Sequence, residues 1–211
     1  MRENAMVKFI IVRHGQSKAN ETGYLYGSLE TPLSALGEKQ ADAVCRYLLN
    51  AYKIDAVYAS PLSRAYNTVT GVADGLGLPV LVEDDLREMH VGILEGMSYA
   101  DISRDYPDEY RSWATDTGVY TLPNGESMAE VQARVINALK EIAKKEDGKT
   151  VLIGVHAAVI RAIQCYAQKL PLALMKNLPW VCNTSVSEMD YDGENFYIHK
   201  FGYDGHLKDL K

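Results

Sequence analysis

The chain has 211 residues, 47% hydrophobic and 24% charged, with a formal net charge of −6. That suits one globular domain able to bury about 70% of its unfolded surface, and an acidic balance argues against a nucleic-acid partner. Three distant cysteines (Cys45, Cys165, Cys182) without CxxC spacing exclude a disulfide framework or zinc site. With "MVKFIIV" too short for a signal-peptide core and no run near the roughly 18 apolar residues of a membrane span, a cytoplasmic protein without membrane partners is expected.

In chain order, "VKFIIV" is a continuous apolar, β-branched run, which suits a central strand covered on both faces. It ends abruptly in Arg13-His14-Gly15. Ser34 to Asn50 predicts a helix with Ser34 as N-cap and Ala41, Val44 and Leu48 on one face. "DAVYAS" predicts the second strand and Ser63 to Leu76 the next helix, closed by Gly75 or Gly77. "PVLVED" predicts the third strand. The segment 97–126 breaks the alternation: one weak helix, several aromatics (Tyr99, Tyr106, Tyr110, Trp113, Tyr120) and a turn at Pro123-Asn124-Gly125. It reads as an insertion over one end of the sheet, either a lid or a surface excursion with its own small core. Ser127 to Lys145 predicts the clearest helix, with a Met128, Val131, Val135, Leu139, Ile142 stripe and a Ser127-x-x-Glu130 capping box. "TVLIGV" predicts the fourth strand, Ala157 to Gln168 a helix, and "SVSEMDYDGENFYIHKF" a hairpin around Asp192-Gly193. Strands alternating with helices predict a three-layer α/β/α domain over residues 1–211, with a mostly parallel central sheet.

Ligands of such sheets bind beyond the carboxyl ends of the strands. There the sequence delivers Arg13 and His14 after the first strand, Arg64 after the second, Glu88 and His90 after the third, and His156 after the fourth. The set matches a phosphate monoester. Guanidinium forks fit phosphate oxygens, and a neutral imidazole is a nucleophile toward phosphorus. A carboxyl such as Glu88 can protonate the leaving oxygen, and the helix N-terminus after His156 adds N–H groups. Each residue alone has a plainer reading: a strand-end histidine, a surface arginine, a loop carboxylate. Joint placement carries the argument. His90 reads as a structural neighbour of Glu88, and His199 and His206 as surface or packing residues.

"VRHGQSKAN", "ASPLSRAYNT", "LREMHVGILEG", "PNGES" and "GVHAAVIRA" occur in the order seen in the histidine phosphatase superfamily, which includes the cofactor-dependent phosphoglycerate mutases. The chain resembles that family from about Val7 to Phe201. The resemblance implies that His14 becomes phosphohistidine, that Arg13, Arg64 and His156 complete the phosphate pocket, and that Asn20 lies near the transferred phosphate. It further implies that Glu88 is the proton donor, that the Gly15 carbonyl takes the other ring N–H of His14, and that neither metal nor cofactor is needed. The family usually has glycine where this chain has Ala157, and alanine would be strained there if the position required φ > 0. A metal-independent phosphatase of small phosphomonoesters is expected. The alternatives are a phosphoglycerate mutase and a non-catalytic phospho-ligand binder. The mutase is disfavoured because its branch places an adjacent arginine pair over the site. Here 97–126 holds only Arg104 and Arg111 against six carboxylates, and "PNGES" resembles the phosphatase branches. The complete catalytic set disfavours the binder. Substrate identity, oligomeric state and whether Arg104 and Arg111 reach the cleft are left open by the sequence.

Overall fold

The computed structural model describes residues 6–210. β1 (Val7–Arg13) leads to a short helix, α1 (Lys18–Thr22), and a two-residue strand, β2 (Tyr24–Leu25). Then come α2 (Ala35–Ala51), β3 (Ala56–Ala59), α3 (Ser63–Leu76) and β4 (Val80–Val82). The insertion contributes β5 (Met97–Ser98), α4 (Tyr99–Asp105) and α5 (Pro107–Asp116). The remainder is α6 (Met128–Lys145), β6 (Thr150–Val155), α7 (Ala157–Ala167), β7 (Val186–Tyr191) and β8 (Phe196–Tyr203).

The main sheet has six strands in the order β4-β3-β6-β1-β7-β8. β4, β3, β6 and β1 run parallel, β7 runs antiparallel to β1, and β8 runs antiparallel to β7. Strand pleating explains why "VKFIIV" is apolar throughout. Val7, Phe9 and Ile11 pack on one side against α6 and α7, while Ile10 and Val12 pack on the other against α2 and α3. Helices on both faces leave no polar side for the central strands. The edge strand β4 is different: it is shorter than "PVLVED" suggests, and Leu81 and Val82 are exposed.

The helices begin and end for local reasons. Ser34 caps α2 by accepting from the Gly37 N–H at 3.0 Å. α3 closes on Gly77 at φ 66°, the left-handed conformation that costs glycine little. α6 starts with the reciprocal Ser127–Glu130 capping box. Its stripe Met128, Val131, Val135, Leu139 and Ile142 is fully buried, and each of these side chains stabilises the layer by roughly 2 kcal/mol.

The insertion contains two helices rather than one. Ser98 caps α4 through the Asp101 N–H, and Pro107 opens α5 at its first position, where a missing N–H costs nothing. Ile102 and Leu122 bury against Val91 and Leu94, with Tyr106, Tyr110, Trp113 and Tyr120 packed around them. The segment therefore has its own small core, and β5 ties it to β2. Among the described residues, no helix is long and apolar enough to cross a membrane.

Candidate active site

The parallel register explains why the polar groups converge. Arg13 pairs with Val155 and Ala59 with Gly154, so His14, Ser60 and His156 each follow the end of a neighbouring strand. The His14 N–H still donates to the Val155 carbonyl at 2.9 Å, and the Ser60 N–H to that of Gly154 at 3.0 Å. The His14 and His156 rings lie 5.2 Å apart, and both are buried. His14 Nδ1 is 2.7 Å from the Gly15 carbonyl, an arrangement that fixes the proton on Nδ1 and leaves Nε2 unprotonated. His156 Nε2 is 2.8 Å from Ser60 Oγ, and its buried Nδ1 has no partner among the described residues.

Gly15 is required by close approach. A Cβ there would come within 2.6 Å of the Gly37 carbonyl, and one on Gly37 within 2.0 Å of the Gln16 carbonyl. The turn after His14 is thus pressed against the start of α2. Its other supports are the Gly15 N–H to Thr68 Oγ1 bond at 2.9 Å and the Thr184 N–H to Arg13 carbonyl bond at 3.0 Å. Thr184 is fully buried at φ 53°, an uncommon conformation for a β-branched residue. Backbone strain is therefore held directly against the turn that carries His14.

Arg64, on the first turn of α3, is only 2% exposed. Its Nη1 donates to the Leu29 carbonyl at 2.9 Å and its Nη2 to that of Gly27 at 2.7 Å. Arg13 Nη1 donates to the Val181 carbonyl at 2.6 Å, and its buried Nε has no partner among the described residues. Among the described residues, neither guanidinium makes a salt bridge to a carboxylate. Carbonyls orient them without neutralising them.

Glu88 sits at the rim, accepting from the Met89 N–H at 2.9 Å and from the Ala158 N–H of α7 at 3.3 Å. Arg134 holds its loop. It bonds the carbonyls of Asp85 and Arg87 at 2.6 and 2.8 Å while pairing with Glu126 at 2.6 Å. Glu126 of "PNGES" thus anchors the Glu88 loop beside the helix cap. His90 is exposed, and its Nδ1 accepts from the Gly92 N–H at 3.1 Å. Glu95 accepts from the N–H groups of Gly27, Ser28 and Val91, joining this loop to the one whose carbonyls grip Arg64.

These groups surround a cavity of about 130 Å³ lined by Arg13, His14, Asn20, Arg64, Glu88 and Ala157, among others. Asn20 uses Oδ1 in a capping box with Ser17, leaving its amide nitrogen for a ligand. Ala157 is the first residue of α7, and its φ is not positive, so alanine is unstrained there. Tyr99, Trp113 and Thr117 bring the insertion onto the cavity wall. Arg104 and Arg111 are not in that wall. They are exposed and paired with Asp101, Asp105 and Asp108. His199 bonds Asp190 on the surface, and His206 stacks on Tyr47.

The sequence reading did not single out Ser60, Thr184, Arg161 or Trp180. Ser60 ends the "DAVYAS" run, and its signal is that strand-end position. Thr184 and Trp180 lie in a loop with no local pattern. Arg161 is mid-helix, where a cation usually faces water, yet it is 3% exposed.

Burial, then the Arg13 and Arg64 charges, hold the His14 imidazole well below the usual histidine range, against the opposing Gly15 bond. Burial, with Arg64, His14 and Arg13 behind it, does the same for His156. Burial also lowers Arg13 and Arg64, opposed first by Glu88, but an arginine remains charged at any ordinary pH. The cavity therefore presents a neutral imidazole beside two cations that carbonyls, not direct carboxylate salt bridges, hold in place. Among the described residues, no group of three or more His, Cys, Asp or Glu is placed to hold a metal ion.

The family model of the histidine phosphatase superfamily (branch 1) matches residues 9–204. Phosphoserine phosphatase 1 of Hydrogenobacter thermophilus is 33% identical, over 96% of this chain and 95% of its own. A metal-independent phosphoserine phosphatase of Arabidopsis thaliana is 30% identical, over 99% of this chain and 86% of its own. The native structure of a mycobacterial glucosyl-3-phosphoglycerate phosphatase superposes with a TM-score of 0.85 at 27% identity, covering 94% of this chain and all of that one (100%).

Proposed function

This chain belongs to the histidine phosphatase superfamily, branch 1, and is a histidine-type phosphomonoesterase; from that premise we propose that it hydrolyses small phosphomonoesters through a phosphohistidine at His14, without a metal. The observation that carries the reading is the pairing of Arg13 and Arg64 with carbonyls rather than carboxylates around a neutral His14. Two buried guanidiniums that, among the described residues, make no direct salt bridge to a carboxylate suit a dianion.

In the proposed reaction the phosphoryl group sits between the two guanidiniums, His156, Asn20 and the start of α7. His14 Nε2 attacks phosphorus and the ester P–O bond breaks. Glu88 gives its proton to the departing oxygen. Water then attacks the phosphohistidine, Glu88 takes a proton back, and phosphate leaves. Phosphoryl transfer needs mostly positioning and charge stabilisation, which these residues supply. The insertion, residues 97–126, acts as the lid, with Tyr99 and Trp113 facing the leaving group. A mutase would have to retain a doubly anionic intermediate, and the insertion brings no cation to the cavity. The three cysteines, far apart in sequence and without CxxC spacing, support a cytoplasmic setting.

The test is a panel of phosphomonoesters with the purified protein in excess EDTA. Phosphate release at an undiminished rate is expected. Loss of activity, restored by magnesium or zinc, would contradict the reading.

A further inference from the structure

Arg161 is a third buried guanidinium on the same cavity, and the chemistry above does not use it. It lies four residues after Ala157 on α7, so it shares that residue's face one turn on, about 6 Å along the axis. Its Nη2 donates to the Met175 carbonyl at 2.5 Å, and its buried Nε has no partner among the described residues. The guanidinium carbon stacks 4.1 Å from the centroid of the Trp180 ring, which also lines the cavity and is 60% exposed. Among the described residues, Arg161 makes no salt bridge to a carboxylate. Burying a guanidinium against one carbonyl and one ring is costly unless an anion completes it.

We propose that Arg161, held flat by Trp180, is the specificity-determining residue for a carboxylate on the leaving alcohol, so that the substrate is a phosphorylated small hydroxy acid. The proposal rests on the phosphatase reading above. Charge matching selects the class. A phosphate dianion is met by Arg13 and Arg64, and one cation then remains for a monoanion. A planar carboxylate fits the guanidinium fork with two parallel N–H···O bonds. One helical turn from the phosphate end of α7, in a cavity of about 130 Å³, that carboxylate has to lie within a few bonds of the ester oxygen.

The experiment compares kcat/KM for 3-phosphoglycerate and glycerol 3-phosphate, which differ in carboxylate against hydroxymethyl, with nitrophenyl phosphate as reference. The native enzyme should prefer 3-phosphoglycerate by about 10- to 100-fold, the range for a hydrogen bond to a charged group. In Arg161→Met that ratio should fall toward one, whatever happens to the overall rate, and Arg161→Lys should recover part of it. Should Arg161→Met not fold, Trp180→Leu, at an exposed position, should still lower the ratio by about two- to five-fold, as expected for losing a cation–π contact. Turnover of nitrophenyl phosphate without discrimination between the two glycerol derivatives, or a ratio unchanged in the variants, overturns the carboxylate subsite alone. Absence of turnover on all three esters overturns the phosphatase reading and this inference with it.

Discussion

Two pairs of arginines border the same end of the sheet and behave oppositely. Arg13 and Arg64 on the floor are held by backbone carbonyls, and Arg64 is only 2% exposed. Arg104 and Arg111 on the insertion have 67% and 75% of their side chains exposed, and each bonds an aspartate on its own helix. A carbonyl orients a guanidinium and leaves its charge available. A carboxylate cancels that charge. The same residue type is therefore the proposed ligand for an anion in one place and a solvent-screened helix-surface ion pair in the other.

The comparison breaks most visibly on the floor. His14→Ala should leave no measurable turnover, and Arg64→Met should lower kcat/KM by about 10³-fold or more, as loss of a transition-state arginine does elsewhere. An Arg64→Met enzyme within ten-fold of the parent would show that the carbonyl-held charge is structural. Next in size is Glu88→Gln. Its loss should be about 10²–10⁴-fold on alkyl phosphates and far smaller on nitrophenyl phosphate, whose leaving group departs without a proton. Equal impairment on both classes would remove the proton-donor role.

A smaller effect appears as stability against pH. The folded-state pKa values of His14 and His156 lie well below that of the unfolded chain, about 6.5. The unfolded state therefore binds more protons, and the stability from these two neutral rings is full above about pH 6.5 and lost as pH falls below it. Urea midpoints should drop between pH 7.5 and 5.5, with a shallower drop in His156→Asn. A pH-independent midpoint over that range would mean that the rings are solvated. The smallest effect belongs to the insertion: Arg104→Ala and Arg111→Ala should each change kcat/KM by less than about two-fold, consistent with exposed, screened pairs. A large loss in either would place a cation of the insertion in the cleft.

The same contrast explains what could be read from the sequence. Arg13, His14, Arg64 and His156 were legible because a strand end is a fixed address: parallel register brings residues just past the ends of β1, β3 and β6 together whatever the loops do. α2 and α6 were legible from N-caps and apolar stripes, and α3 from its closing glycine. The insertion was read as one weak helix although Ser98-x-x-Asp101 and Pro107 mark two starts, because helices of 7 and 10 residues give too short a stripe to see. Arg161 was illegible for a different reason. Its burial comes from Trp180 and the Met175 carbonyl, which reach it from a loop and a 3-10 turn beyond α7. Glu95 and Arg134 likewise read as ordinary charges until their loop partners are seen.

The central claim is that a neutral His14, flanked by two carbonyl-held cations, takes the phosphoryl group onto its own ring. Trapping tests it most directly. The enzyme is mixed with a radiolabelled phosphomonoester and quenched in alkali within a turnover, and the label is then mapped on the chain. The account predicts label bound at His14, stable to alkali, released by acid, and absent from His14→Ala. Label at another residue, or full turnover with no trapped phosphoenzyme in either protein, would contradict it.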